Sequence, residues 1–188
     1  MKTTRKVFKT MIRLMTIAIL VSIAQGCDAE IPSEDNIPPE FLFRISGAGA
    51  EYTFDQDFDF DNSYLMLKEG ETYDITLSGG DGGGLKSIEW TFSPDCVSID
   101  GTIAPRWTMR QENGREVVEW EGDRRNPFTG SILSVDMTTV GACTGSYSSF
   151  DFEVSDFGGE FGSSNVISKS LSIWHSRDRF LIRRRIGR

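Results

Sequence analysis

The chain has 188 residues, a formal net charge of −8, 13 phenylalanines, 19 glycines and only six prolines, a balance that favours a folded β-rich chain over disorder. Its charge is uneven: residues 27–176 carry nine Lys and Arg against 27 Asp and Glu, a net of −18, while residues 177–188 carry six arginines and one acid. Such an acidic body repels nucleic acid and anionic lipid, which leaves cations and neutral polymers such as glycans as compatible partners.

The first thirteen residues hold Lys2, Arg5, Lys6, Lys9 and Arg13 and no acid, a basic region of the kind that stays on the cytoplasmic side. Leu14 to Ala24 follows as an apolar run. A helix needs about 20 apolar residues to cross a bilayer, so this run is short for a permanent span and right for a secretory signal. It ends in Ala24-Gln25-Gly26-Cys27, which resembles the lipobox of bacterial lipoproteins. Gly26 and Cys27 fit that pattern, and Ala24 stands where the family prefers leucine. The resemblance implies cleavage before Cys27, a diacylated Cys27 as mature N-terminus, and a place at the bacterial cell envelope, the outer membrane rather than the inner. Each buried methylene of an acyl chain contributes about 0.8 kcal/mol, and more than one chain makes anchoring stable. The alternative is an ordinary signal peptide cut at a nearby small residue, with Cys27 a free or paired thiol.

Residues 1–26 are thus expected to be the signal peptide. Residues 27–39, polar and acidic with Pro32, Pro38 and Pro39, read as a flexible tether that lifts the domain off the membrane. A globular domain is expected over 40–176 and a basic tail over 177–188.

Within the domain, short strands follow one another and no helical period is present. Glu40–Ile45 is a short apolar run. Tyr52–Asp61 alternates, with Phe54, Phe58 and Phe60 on one face and Asp55, Asp57, Asp59 and Asp61 on the other, the mark of a half-buried strand. Tyr64–Leu67 and Thr72–Ser78 follow, then the turn Gly79–Gly84, where positive φ is cheap. Leu85–Phe92 aligns Ile88, Trp90 and Phe92. Trp107–Gln111 and Glu116–Glu121 flank Asn113-Gly114, the strongest short hairpin signal. Ile132–Met137, Tyr147–Ser155 with Phe150, Phe152 and Val154 inward, and Val166–Trp174 complete the set. Many short strands with turns between them predict an all-β sandwich or barrel.

Two segments sharpen that expectation. Glu71–Phe92, with Leu85-Lys86-Ser87-Ile88-Glu89-Trp90 after a Gly/Asp-rich turn, resembles the B–C hairpin of immunoglobulin-like modules of bacterial surface proteins, the PKD and cadherin-like group. Tyr147–Trp174, with Val154-Ser155-Asp156-Phe157-Gly158-Gly159, resembles their F–G hairpin. The resemblance implies an immunoglobulin-like β-sandwich, with the hairpin of residues 100–125 as an insertion, and names no activity. It also places Cys96 just after strand C and Cys143 just before strand F, at one edge of the domain. With Cys27 taken by lipid, these two are the even pair of an oxidising compartment, and a Cys96–Cys143 disulfide is expected.

Several residues are candidates for chemistry. Asp55, Asp57, Asp59 and Asp61 on one strand face repel one another, and a hard cation such as Ca²⁺ relieves that repulsion. Asp57 to Asn62 also resembles the opening of Asp-x-Asp-x-Asp-Gly calcium loops, but Asn62 stands for the glycine and Lys68 for the closing glutamate. The bland reading is a solvated edge face that discourages aggregation. Asp81 and Asp156 sit in glycine-rich turns, which favour aspartate for local hydrogen bonds whatever the function; the alternative is a ligand role. Trp107 and Trp120, on the two arms of the hairpin, suit either a sugar-stacking platform or a cross-strand pair that fills the core. His175 is the only histidine, so histidine-rich metal sites and Cys–His catalysis lack material. The arginine tail suits a frayed end, a contact with acidic lipid headgroups, or a fold back onto the acidic body.

The expectation is a lipid-anchored, non-catalytic interaction domain with a protein or glycan partner and no nucleic acid. The alternatives are a glycan-binding module of a surface polysaccharide-uptake system and a sandwich-fold hydrolase built on a carboxylate pair.

Overall fold

The computed structural model describes residues 31–159 and 161–185. Cys27 and the apolar run before it lie outside them. The strands are β1 (Glu40–Gly47), β2 (Ala50–Asp55), β3 (Ser63–Lys68), β4 (Thr72–Phe92), β5 (Val97–Asp100), β6 (Trp107–Glu112), β7 (Arg115–Glu121), β8 (Phe128–Thr139), β9 (Tyr147–Asp156), β10 (Val166–Ser176) and β11 (Leu181–Arg184). Alternation drives most of them. Phe41, Phe43 and Ile45 of β1, Phe150, Phe152 and Val154 of β9, and Leu171 and Ile173 of β10 are buried, with polar or half-exposed residues between them.

Hydrogen bonding arranges the strands as two layers that share β4. Residues 72–80 of β4 pair with β1 on one side and β8 on the other, and β2 and β5 extend that layer. Residues 85–92 pair with β9 and β7, and the second layer runs β11-β3-β10-β9-β4-β7-β6. Aromatic rings join the layers. Phe43 lies 4.7 Å from Phe152 and 5.9 Å from Trp90, centroid to centroid. Such pairs contribute about 0.5–1.5 kcal/mol each beyond their buried area. The Trp90 indole N–H, fully buried among these rings, has no hydrogen-bond partner among the described residues. Read as A (β1), B (the first half of β4), E (β8) and D (β5) against C (the second half of β4), F (β9) and G (β10), this is an immunoglobulin-like β-sandwich.

The Asn113-Gly114 hairpin forms as expected, with φ of 51° and 77° at its two central residues. Cys96 and Cys143 are bridged, with Cα atoms 5.2 Å apart, beside the end of the β4–β9 ladder. Closing that 47-residue separation stabilises the fold by about 4 kcal/mol in the chain-entropy picture.

Three expectations change. Gly79–Gly84 is not a turn between two strands. It is the bend of one continuous strand, where the register shifts between Gly80 and Leu85 as β4 passes from one layer to the other. Glycine at 79 permits this, because a Cβ there would lie 2.9 Å from Val154 Cγ1 and 3.0 Å from Ile88 Cγ1. The Tyr52–Asp61 strand ends at Asp55. The Asp55 carboxylate accepts the Asp57 amide at 3.0 Å, and the Asp59 carboxylate accepts the Asn62 amide at 3.3 Å, so the aspartates turn the chain instead of extending it. Phe54, Phe58 and Phe60 still meet, at 4.8 and 5.1 Å, because the turn folds the rings together.

The third change concerns the two ends. Residues 31–39 are laid against the domain: Asn165 Nδ2 donates to Asp35 O at 2.9 Å, and Phe161 N donates to Ser33 O at 3.2 Å. Residues 181–184, inside the expected tail, form β11 and pair antiparallel with β3. Ile182 is half-buried against the core, which explains why this arginine-rich stretch is held.

Candidate functional site

The bend of β4, the loop after β9 and the strapped N-terminal segment meet at one pole of the sandwich. There Asp35, Asp81 and Asp156 bring one carboxylate oxygen each within 4.8 Å of one another. Asp156 is fully buried, and its two oxygens accept the Asn165 amide at 2.7 Å and Asn165 Nδ2 at 2.8 Å. Asp81 accepts Gly83 N at 2.8 Å, and Asp35 accepts Ile37 N at 2.9 Å. Burial raises the pKa of Asp81, the Gly83 amide opposes this, and the charges of Asp35 and Asp156 add to the rise. The group offers three carboxylates, the donor type of a hard divalent cation, where calcium takes about six to eight oxygens. The sequence marks Asp81 and Asp156 as turn residues with a ligand role as the alternative, and it does not mark Asp35, because its partners lie 46 and 121 positions away and leave no local pattern.

Asp55, Asp57, Asp59 and Asp61 are all exposed and do not share a strand face. No three of them converge as a ligand set, and the carboxylates of Asp55 and Asp59 are engaged in separate turns. Trp107 and Trp120 do pair across β6 and β7, but they are 7% and 3% exposed and belong to the core. A sugar cannot stack on them, and the platform reading of this pair is corrected. A cluster of outward-facing rings lies at the other pole, where exposed Tyr147 and half-buried Tyr64 and Trp174 stand on adjacent strands.

The third cluster is Cys96, Cys143 and His175, but both sulfurs are in the disulfide. His175 is 2% exposed, and its Nε2 lies 2.8 Å from Ser148 Oγ. Burial lowers its pKa and keeps the ring neutral. Among the described residues no carboxylate hydrogen-bonds to this ring, so the Ser148–His175 pair lacks the third group that orients a catalytic base.

The outer faces of both layers are acidic. Glu89 stands opposite Glu119 and Glu153, and Asp136 opposite Asp74 and Asp100. Arg110 reaches Glu89, Glu112 and Glu119 at 3.5, 2.9 and 3.3 Å and relieves part of that repulsion.

No protein-family model matches the chain, and no curated protein matches it. Among solved structures, a cohesin module of a family 33 glycoside hydrolase from Clostridium perfringens aligns at a TM-score of 0.35 and 13% identity, covering 61% of this chain and 97% of that one. The collagen-binding subdomain of the Enterococcus faecalis surface protein ACE aligns at 0.34 and 9% identity, covering 63% and 98%. A longer piece of ACE aligns at 0.36 and 9% identity, covering 76% of this chain and 61% of that one. Likeness of this degree says nothing of what the chain binds.

Proposed function

We propose that the protein is an exported lipoprotein, acylated at Cys27, whose immunoglobulin-like domain is a non-catalytic interaction module at the bacterial cell envelope. The observation that carries this reading is the basic start and short apolar run ending in Gly26-Cys27. Among the described residues no helix is long and apolar enough to cross a membrane. The place of the N-terminal segment supports a defined orientation. Four residue steps separate Cys27 from Ile31, at most about 14 Å of extended chain. Residues 33 and 35 are already tied to the acidic pole. That pole is therefore held near the bilayer, and the disulfide pole faces away. The acidic outer faces keep the body off anionic headgroups.

Replacing Cys27 tests the reading. Cys27→Ser is expected to move the protein from the membrane pellet to the soluble fraction and to remove a lipid-sized mass from the N-terminal peptide. A wild-type N-terminal peptide without added lipid, in a protein that pellets regardless of the substitution, would contradict it.

A further inference from the structure

Three outward-facing rings of the second layer, one exposed and two half-buried, gather at the pole away from the N-terminal strap. Tyr147 and Trp174 are direct cross-strand partners on β9 and β10, with centroids 4.6 Å apart. Tyr64 of β3 lies 5.9 Å from Tyr147. All three point outward, because Leu65, Ile173 and Phe150, an odd number of residues away on the same strands, are buried in the core. Tyr147 is 61% exposed. Neither tyrosine hydroxyl nor the Trp174 indole N–H has a hydrogen-bond partner among the described residues. The three rings thus combine apolar faces with three free polar tips.

The surrounding charge is unlike that of the rest of the molecule. Arg183 of β11 is the register partner of Tyr64, which puts it on the same face. Arg185 crosses β3 to donate to Ser172 Oγ, and Ser172 is the partner of Tyr64 on the other side. Both arginines are exposed, and neither has an ion pair among the described residues. Two cations of a chain with 27 acids in residues 27–176 thus stand beside this aromatic group.

We propose that Tyr64, Tyr147 and Trp174, flanked by Arg183 and Arg185, form a binding platform for an acidic glycan, a polymer of pyranose rings that carry carboxylates. The proposal deepens the interaction-module reading and rests on it for orientation alone. Each part of the ligand has a counterpart. The C–H faces of a pyranose lie on aromatic rings, its hydroxyls meet the free Tyr and Trp tips, and its carboxylates meet the guanidinium forks. A purely apolar partner would leave those polar tips unpaired, which is costly. An anionic membrane offers charge but faces the opposite pole: Tyr147 and Asp156 are nine residue steps apart along β9, about 30 Å.

The test uses the full-length chain in neutral detergent and three soluble uronic-acid polymers: polygalacturonate, alginate and hyaluronate. Dextran serves as the neutral polymer, and phosphatidylglycerol nanodiscs as the anionic lipid. Binding to at least one uronic-acid polymer is expected, with dextran and nanodiscs weaker. Trp174→Ala is expected to lower affinity about tenfold or more, as for other aromatic anchors. Trp174→Phe should retain most of it. Arg183→Gln with Arg185→Gln should weaken binding at low salt and flatten its salt dependence. Tyr147→Ala, at a site already 61% exposed, gives a second aromatic test in a variant expected to keep its melting temperature. Three results would each overturn the proposal: no binding to any uronic-acid polymer, equal binding to dextran or nanodiscs, or unchanged affinity in both aromatic variants with the fold intact. None of them bears on the Cys27 fractionation, so a failed platform and a failed anchor are told apart.

Discussion

The two poles of the sandwich are built by different means. The acidic pole depends on main-chain conformation. Gly79 lets the layers approach, Gly84 takes a φ of 114°, and Asp35, Asp81 and Asp156 tie loops through amide hydrogen bonds. The opposite pole depends on side chains. The Cys96–Cys143 bridge fastens it, and cross-strand pairs such as Tyr147–Trp174 cover it. Thus the bend in β4 sets the shape of one end, while a covalent bridge and packed rings fasten the other. It follows that substitutions at the first pole act through sterics and charge repulsion, and those at the second through cross-linking and surface recognition.

The largest effect that breaks this comparison is loss of the bridge. Cys96→Ala with Cys143→Ala is expected to lower unfolding free energy by about 4 kcal/mol in denaturant titration, an upper figure if the unfolded chain keeps structure. If stability is unchanged, the opposite pole does not depend on its bridge.

Next comes the bend. Gly79→Ala forces a methyl group against Val154 and Ile88 and is expected to cost about 1–3 kcal/mol. Gly82→Ala, in the same bend with nothing within 4 Å of the new methyl, should stay within about 0.5 kcal/mol. Equal costs at the two positions would remove close approach of the layers as the reason for glycine at 79.

The smallest effect concerns charge at the acidic pole. Asp81 has a folded pKa raised above its ordinary value of 3.8. Folding therefore favours the protonated form, so this carboxyl adds stability at low pH and loses it as pH rises from 3.8 through the folded value. Asp81→Asn keeps an acceptor for the Gly83 amide. In metal-free buffer it should raise the melting temperature at pH 7 and lose that advantage below pH 3.8. A lower melting temperature at pH 7 would mean that Asp81 is held by favourable charge instead of repulsion.

Much of the fold was legible because its alternation is local. Phe150, Phe152 and Val154 read as one buried face and are one. Asn113-Gly114 reads as a hairpin because both residues tolerate positive φ. The disulfide followed from the resemblance to immunoglobulin-like modules, which places strands C and F side by side. The misreadings have a common cause in residues with two uses. Alternating aspartates mark a strand until their carboxylates capture nearby amides, as at Asp55 and Asp59. A glycine run marks a turn unless the strands on either side are held in register through it, as in β4. Arginine-rich ends read as tails, and Leu181 and Ile182 were too short a signal to outweigh that. Neither polar cluster was visible in advance. Tyr64, Tyr147 and Trp174 span 110 positions, and only the parallel pairing of β3 with β10 brings them together.

The proposed orientation puts the strapped pole near the bilayer and the aromatic pole away from it. Phe161, 80% exposed beside the strap, and Tyr147, 61% exposed at the far end, are suitable sites for a small fluorophore introduced through an unnatural amino acid. With the full-length protein in vesicles bearing acceptor dye on the headgroups, energy transfer should be strong from position 161 and weak from position 147, in keeping with a separation of about 30 Å along β9. Equal transfer from both positions, or stronger transfer from 147, would contradict the account.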